Sequence, residues 1–72
     1  MNIKKEIGLR IRVLREKATI TQKDLASISD LDRSYIASVE NGSRNISIIN
    51  IEKITKALNI SIKEFFNDES FK

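Results

Sequence analysis

The chain has 72 residues with neither Cys nor His, and its net charge of +3 arises in residues 1–33, which hold eight basic and five acidic side chains. This length permits one domain, residues 1–72. Its hydrophobic core is small, so dimerisation would stabilise it. The basic first half is compatible with a polyanionic partner. The composition excludes disulfides, the usual metal sites and the commonest general base, so we expect no cofactor, no small-molecule ligand and no enzyme activity.

Apolar residues recur at helical spacing, and the residues between them predict five short helices. The first is predicted over residues 3–17, where Gly8 is expected to allow a close backbone approach. Its apolar face is Ile3, Ile7, Ile11, Leu14 and Ala18. The second follows Thr21, whose hydroxyl can accept from the N–H of Asp24 in a variant capping box, and ends near residues 29–30. Its apolar side is Leu25, Ala26 and Ile28.

Three further helices are predicted from capping residues and apolar stripes. Asp32 caps the third helix, which ends at Asn41–Gly42 because both residues tolerate the left-handed conformation. Ser47 caps the fourth, and Ser61 caps the fifth in a capping box with Glu64. The packing residues are Tyr35, Ile36 and Val39, then Ile48, Ile51, Ile54 and Leu58, then Phe65 and Phe66. The core spans residues 3–66, and the tail, residues 67–72, is expected to fray.

The second and third helices have the features of a unit that reads DNA. A short turn, Ser29–Leu31, joins them, and Ala26 is small where they would cross. If Ile36 and Val39 hold the third helix down, its exposed face presents Arg33, Ser34 and Ser38. An Arg side chain can donate two hydrogen bonds to guanine O6 and N7, and a helix N-terminus can bind phosphate through its free N–H groups.

Two strings of residues, Thr21–Ala26 (TQKDLA) and Tyr35–Gly42 (YIASVENG), resemble the phage repressor and Cro type of helix-turn-helix. The resemblance covers residues 5–66 and implies an all-α, lambda-repressor-like bundle of five helices, of which the second and third read DNA. Leu31–Ile36 and Glu40–Ser47 are further similar to the controller proteins of restriction-modification systems. Those proteins are homodimers that bind palindromic operators and regulate transcription. The alternatives are a phage or plasmid repressor, or an antitoxin-type regulator with a protein partner.

The residues and the resemblance together indicate a set of DNA-contacting side chains. They are Thr21, Gln22, Arg33, Ser34, Tyr35, Ser38, Asn41, Ser43, Arg44 and Asn45. Arg33 is expected to read a base, whereas the resemblance implies that Thr21 and Gln22 bind phosphates and that the loop after the third helix meets the other flank of the backbone. Arg44 could instead reach into a groove, and Tyr35 could simply pack. Arg33, the serines of the third helix and the loop after it could be merely solvated.

The resemblance also implies an internal ion pair between Arg15 and Glu40, which would join the first helix to the end of the third. The alternative for Arg15 is a phosphate contact. Asp30 stands where the turn of this kind of helix-turn-helix usually has Gly. Because Asp is one of the few residues that adopt positive φ readily, we expect the turn to form with slight strain.

A single reading helix contacts few base pairs, so we expect a twofold homodimer on double-stranded DNA. The fifth helix cannot bury both of its rings, which leaves Phe66 directed outward. The expected dimer interface is Ile49, Ile60, Ile62 and Phe66. The alternatives are that Phe66 folds back onto its own core and that copies pair through Leu9 and Val13. No apolar run approaches the ~18 residues of a membrane span or follows Met1 as in a signal peptide, so we expect a cytoplasmic protein without a membrane partner.

Overall fold

The computed structural model describes all 72 residues as five α-helices and a short 3-10 helix, without a strand. The α-helices are α1 Ile3–Lys17, α2 Gln22–Ser29, α3 Arg33–Glu40, α4 Ile48–Ala57 and α5 Ile62–Phe66. α1 packs on α3, α2 packs on both α3 and α4, and α4 packs on α5. The predicted all-α bundle of five helices is therefore confirmed. None of the helices combines the length and the apolar character that a membrane crossing requires.

One apolar core receives side chains from all five helices. Its members are Ile7, Ile11, Leu25, Ala26, Ile36, Val39, Ile51, Ile54 and Phe65. Removing a large aliphatic or aromatic side chain from water contributes about 1.5–3 kcal/mol, so this cluster is the main source of stability in a chain of this length. Phe65 is fully buried, as the sequence predicts for the inward ring of α5.

Four residues that the spacing assigned to apolar faces are exposed instead. They are Ile3, Ala18, Ile28 and Ile48. Ile3, Ala18 and Ile48 lie at or just beyond an end of their helices, whereas Ile28 is exposed although Ser29 beside it is buried. The prediction was wrong at these positions because spacing shows neither how far a partner helix extends nor which neighbouring position of a short helix it covers.

A residue with positive φ follows each of the first four helices, one or two positions after its last helical residue. These residues are Thr19, Asp30, Gly42 and Asn59, with φ between 58° and 80°. At the end of α2 the N–H of Leu31 donates to the carbonyl of Ala26 at 2.9 Å, which completes a Schellman motif around Asp30. The prediction that Asp30 adopts the left-handed conformation is confirmed. Of the predicted pair at the end of α3, only Gly42 is left-handed, since Asn41 has φ −85°.

Side-chain caps form at most helix N-termini. The capping box of α2 is complete, with the Thr21 hydroxyl accepting from the N–H of Asp24 and the Asp24 carboxylate accepting from the N–H of Thr21. The N–H and hydroxyl of Thr21 hold the pKa of Asp24 below its ordinary value. Two predicted caps are weaker than expected. The Asp32 side chain stays exposed and accepts no capping bond. Ser61 caps α5, but its N–H donates no return bond to the Glu64 carboxylate.

The C-terminal tail is ordered, which corrects the prediction that residues 67–72 fray. Glu69–Phe71 form a 3-10 helix, and the ring of Phe71 packs at 5.0 Å from that of Phe66, centroid to centroid. Arg10 closes the end of α5 by donating to the carbonyls of Glu64 and Phe65 at 2.9 and 2.7 Å. The sequence carries no periodic signal for these contacts, because Phe71 lies outside the helix that it covers.

Gly8 brings α1 against the end of α3. A Cβ atom on this residue would lie only 2.7 Å from the carbonyl oxygen of Glu40, so only Gly permits this crossing. The predicted close backbone approach is confirmed. It fixes the first helix beside Glu40, the residue that ends α3.

Candidate nucleic-acid interface

α2, the turn after it and α3 form a helix-turn-helix whose inner side is fully packed. Ala26 is buried near the crossing of the two helices, and Leu31 packs against the core from the turn. Ile36 and Val39 hold α3 against the core. Because these contacts fix the inner face, the orientation of the outer face of α3 is set by the fold alone.

The outer face of α3 presents side chains that can form hydrogen bonds. Arg33 and Ser34 are exposed at its N-terminal end and have no partner within the chain. Ser38 is half-buried, and its hydroxyl donates to the carbonyl of Tyr35 at 2.9 Å. The single hydroxyl proton of Ser38 is therefore in use, so this side chain is left to accept rather than to donate.

Tyr35 links α3 to α4 and to the loop between them. Its hydroxyl accepts from Asn50 Nδ2 at 3.0 Å, and the guanidinium carbon of Arg44 lies 4.8 Å from the centre of its ring. A cation–π contact of this kind is worth about 0.5–1 kcal/mol at an exposed site. Tyr35 thus packs and also holds Arg44 beside α3. Sequence reasoning missed Asn50, because no local pattern connects residues fifteen positions apart.

The loop after α3 is held to the end of that helix. The N–H of Ser43 donates to Asn41 Oδ1 at 3.0 Å, and its hydroxyl donates to the carbonyl of Ser38 at 3.1 Å. Arg44 and Asn45 follow, both exposed, and neither Arg33 nor Arg44 forms a salt bridge. Both arginines are therefore available to pair with a phosphate backbone, on a side of the molecule that also carries the exposed carboxylates of Asp30 and Asp32.

The N-terminus of α2 offers free donors. The backbone N–H groups of Gln22 and Lys23 make no hydrogen bond within the chain. Thr21 uses its hydroxyl oxygen to cap the helix, and the same hydroxyl also interacts with the Asp24 carboxylate. The side-chain amide of Gln22 is already engaged, since Nε2 donates to Glu40 Oε1 at 3.1 Å.

Arg15 and Glu40 form a buried ion pair, as the resemblance implies. Arg15 Nε and Nη2 donate to the two carboxylate oxygens of Glu40 at 2.7 and 3.0 Å, and Nη1 donates to the carbonyl of Ile20 at 2.9 Å. Only 12% of the Arg15 side chain and 4% of the Glu40 side chain are exposed. The hydrogen bonds that Arg15 donates to the Glu40 carboxylate raise the pKa of Arg15. The structure thus gives Arg15 an internal partner instead of leaving it free for a phosphate.

The predicted dimer residues divide into two groups. Ile49 and Ile62 are exposed, and together with Ile48 they line a shallow depression beside Glu52. Ile60 and Phe66 are half-buried against the core, and the Phe66 ring contacts Phe65 and Phe71 edge to face. Phe66 therefore follows the alternative in which it folds back onto its own core. The exposed surface here is Ile48, Ile49 and Ile62, which we call the isoleucine patch.

A second pair of apolar side chains is exposed on α1. Leu9 and Val13 are one turn apart and about half exposed. They line a separate depression with Glu6, Arg10 and residues of the tail. The structure therefore offers two apolar surfaces, of which the isoleucine patch is the more exposed.

Comparison with known proteins shows to which family this helix-turn-helix arrangement belongs. The sequence matches the helix-turn-helix family over residues 11–65. The control protein C.MunI of Mycoplasma sp is 44% identical over 68 residues, covering 93% of this chain and 92% of the relative. The control protein C.BamHI of Bacillus amyloliquefaciens is 42% identical, covering 92% of this chain and 83% of the relative.

Solved structures agree with these relatives. The restriction-modification controller protein C.AhdI of Aeromonas hydrophila superposes with a TM-score of 0.87 at 42% identity, over 92% of this chain and all of that one. The controller C.Esp1396I, solved as a tetramer with its natural 35 base-pair operator, gives 0.83 at 40% identity, over 88% of this chain and 83% of that one. This chain belongs to the helix-turn-helix DNA-binding regulators and, within them, to the controller proteins of restriction-modification systems.

Proposed function

We propose that two copies of this chain bind a palindromic operator and regulate transcription of restriction-modification genes. The observation that carries the proposal is the outer face of α3, where Arg33 and Ser34 are exposed and unpaired on a helix whose inner face is fully packed. A helix held in this way can enter the major groove with its N-terminal residues at the base edges. As a regulator of genes, the protein would act in the prokaryotic cytoplasm, where the DNA lies.

The remaining contacts divide by chemistry. The free N–H groups at the start of α2 and the side chains of Thr21 and Gln22 suit the phosphates on one flank of the groove. Asn41, Arg44 and Asn45 keep side-chain donors that suit the phosphates on the other flank. Ser43 would reach a phosphate only by giving up a bond within the chain, because its N–H and its hydroxyl proton are both used there. A phage repressor is the less favoured function, because this chain spans only 44% of the immunity repressor of Bacillus phage phi105, at 33% identity.

Replacing Arg33 by Ala tests base reading. We expect binding to the operator to weaken by about 1–3 kcal/mol for each half-site, roughly five- to 150-fold, and selectivity to relax at one base position of each half-site. Binding to scrambled DNA should change little, because it depends on phosphates and salt. The measurement is a gel-shift titration of both DNAs. An operator-to-scrambled affinity ratio equal to that of the wild type would show that Arg33 does not read a base.

Replacing Arg44 by Ala tests the backbone role of the loop. We expect affinity for all sequences to fall similarly, and the slope of log K against log salt to lose about one unit per copy, or about two for the dimer, because one phosphate contact disappears from each copy. Lys63→Ala, which removes an exposed charge from α5, is the matched control and should leave the slope unchanged. A loss confined to one base position would instead make Arg44 a groove reader.

A further inference from the structure

The carboxylate of Glu40 does more than neutralise Arg15. Its Oε2 accepts from Arg15 Nε, while its Oε1 accepts both from Arg15 Nη2 and from Gln22 Nε2. Arg15 is itself fixed by a third bond to the carbonyl of Ile20. The carboxylate is therefore held rigidly by α1, and it in turn holds the side chain that begins α2.

This bond determines which way the Gln22 amide faces. An amide nitrogen carries two protons, and one of them is directed at Glu40. Because the amide group is planar, the direction of the second N–H is then fixed as well. Gln22 belongs to the same helix end as the free backbone N–H groups of Gln22 and Lys23. A phosphate at that end would find a side-chain donor already in place.

We infer that Glu40 is a positioning residue for DNA binding, which acts by orienting the Gln22 amide toward a backbone phosphate. The inference rests on the proposed function. It assigns a role in DNA binding to a residue that would not itself contact DNA. Ordering a long side chain at an interface costs conformational entropy, and here the bond to Glu40 orders it during folding. Because Glu40 ends α3, the bond also fixes the phosphate contact relative to the reading helix.

A double-mutant cycle separates positioning from mere stabilisation. We expect Gln22→Ala to weaken operator binding about tenfold, the size of one hydrogen bond to a charged group. Glu40→Gln leaves one acceptor oxygen, for which Arg15 and Gln22 compete, and should weaken binding several-fold. In the Gln22→Ala background, Glu40→Gln should have no further effect. Circular dichroism selects a temperature at which all four proteins are folded.

If Glu40 only stabilises the folded protein, Glu40→Gln will reduce operator affinity by the same factor with Gln22 and with Ala at position 22. That result would overturn the inference. If the wild type does not distinguish operator from scrambled DNA, it is the proposed function that fails, before any variant is made. The side-chain amide of Gln22 in a 15N-correlated NMR spectrum provides a readout that needs no variant at Glu40. Operator binding should shift one of its two protons and leave the other in place, whereas loss of the bond to Glu40 on binding would contradict the inference.

Discussion

Replacing Glu40 by Ala should lower the free energy of unfolding by about 3–5 kcal/mol, a large share of the 5–15 kcal/mol typical of a folded domain. The change leaves the guanidinium of Arg15, only 12% exposed, without its carboxylate, and also removes the acceptor of Gln22. Loss of DNA binding by this variant should follow from unfolding in addition to the lost orientation of Gln22, which is why the positioning role is tested with Glu40→Gln under folded conditions. Urea denaturation followed by circular dichroism measures the effect.

The chain contains a matched control for this prediction. Arg12 and Glu16 form an ion pair of 3.5 Å on the outside of α1, with more than half of each side chain exposed. Glu16→Ala should change stability by less than about 1 kcal/mol, because exposed pairs contribute little. Arg15→Met combined with Glu40→Leu should recover much of the loss, since no unpaired charge remains buried. A Glu40→Ala protein that unfolds at the wild-type urea concentration would contradict the interpretation.

What the sequence predicted well is local. The capping box at Thr21, the left-handed Asp30 and the close approach at Gly8 each follow from the chemistry of one or a few adjacent residues. The five helices follow in the same way, because their apolar stripes and caps agree. The pairing of Arg15 with Glu40 is long-range and was supplied by the family resemblance, not by the spacing of the residues.

What the sequence did not predict depends on which elements meet. Arg10 bonds to carbonyls fifty-four and fifty-five residues away, and Gln22 bonds to Glu40 across two helices. The burial of Phe66 depends on a tail whose sequence has no helical period. The DNA contacts of the outer face stay predictions, because exposure and free donors show what a side chain is able to bind.

A dimer through the isoleucine patch has the largest consequence for DNA binding. Doubling the reading helix across a twofold axis raises the effective concentration at the second half-site, which increases affinity by about 10²–10⁴ without a new contact. The same axis would place the two reading helices about 34 Å apart, one turn of DNA. Ile49 is the position to test, because it is 64% exposed and its side chain is outside the core. Phe66 is less suitable, since its ring packs on Phe65 and Phe71 and its loss would also lower stability.

Ile49→Glu should therefore fold normally and sediment as a monomer at micromolar concentration, where the wild type sediments as a dimer. A glutamate at this position is hydrated in the monomer, but pairing across a twofold axis would bury two like charges in an apolar interface. Its affinity for the full palindrome should fall by about 10²–10⁴, while its affinity for one half-site stays at the wild-type value. Ile28→Glu, at 60% exposure, is the control and should still dimerise.

If Ile49→Glu dimerises as well as the wild type, the interface lies elsewhere and Leu9→Glu is the next variant to test. A wild type that is monomeric, and that binds a half-site as tightly as the palindrome, would exclude the dimer altogether.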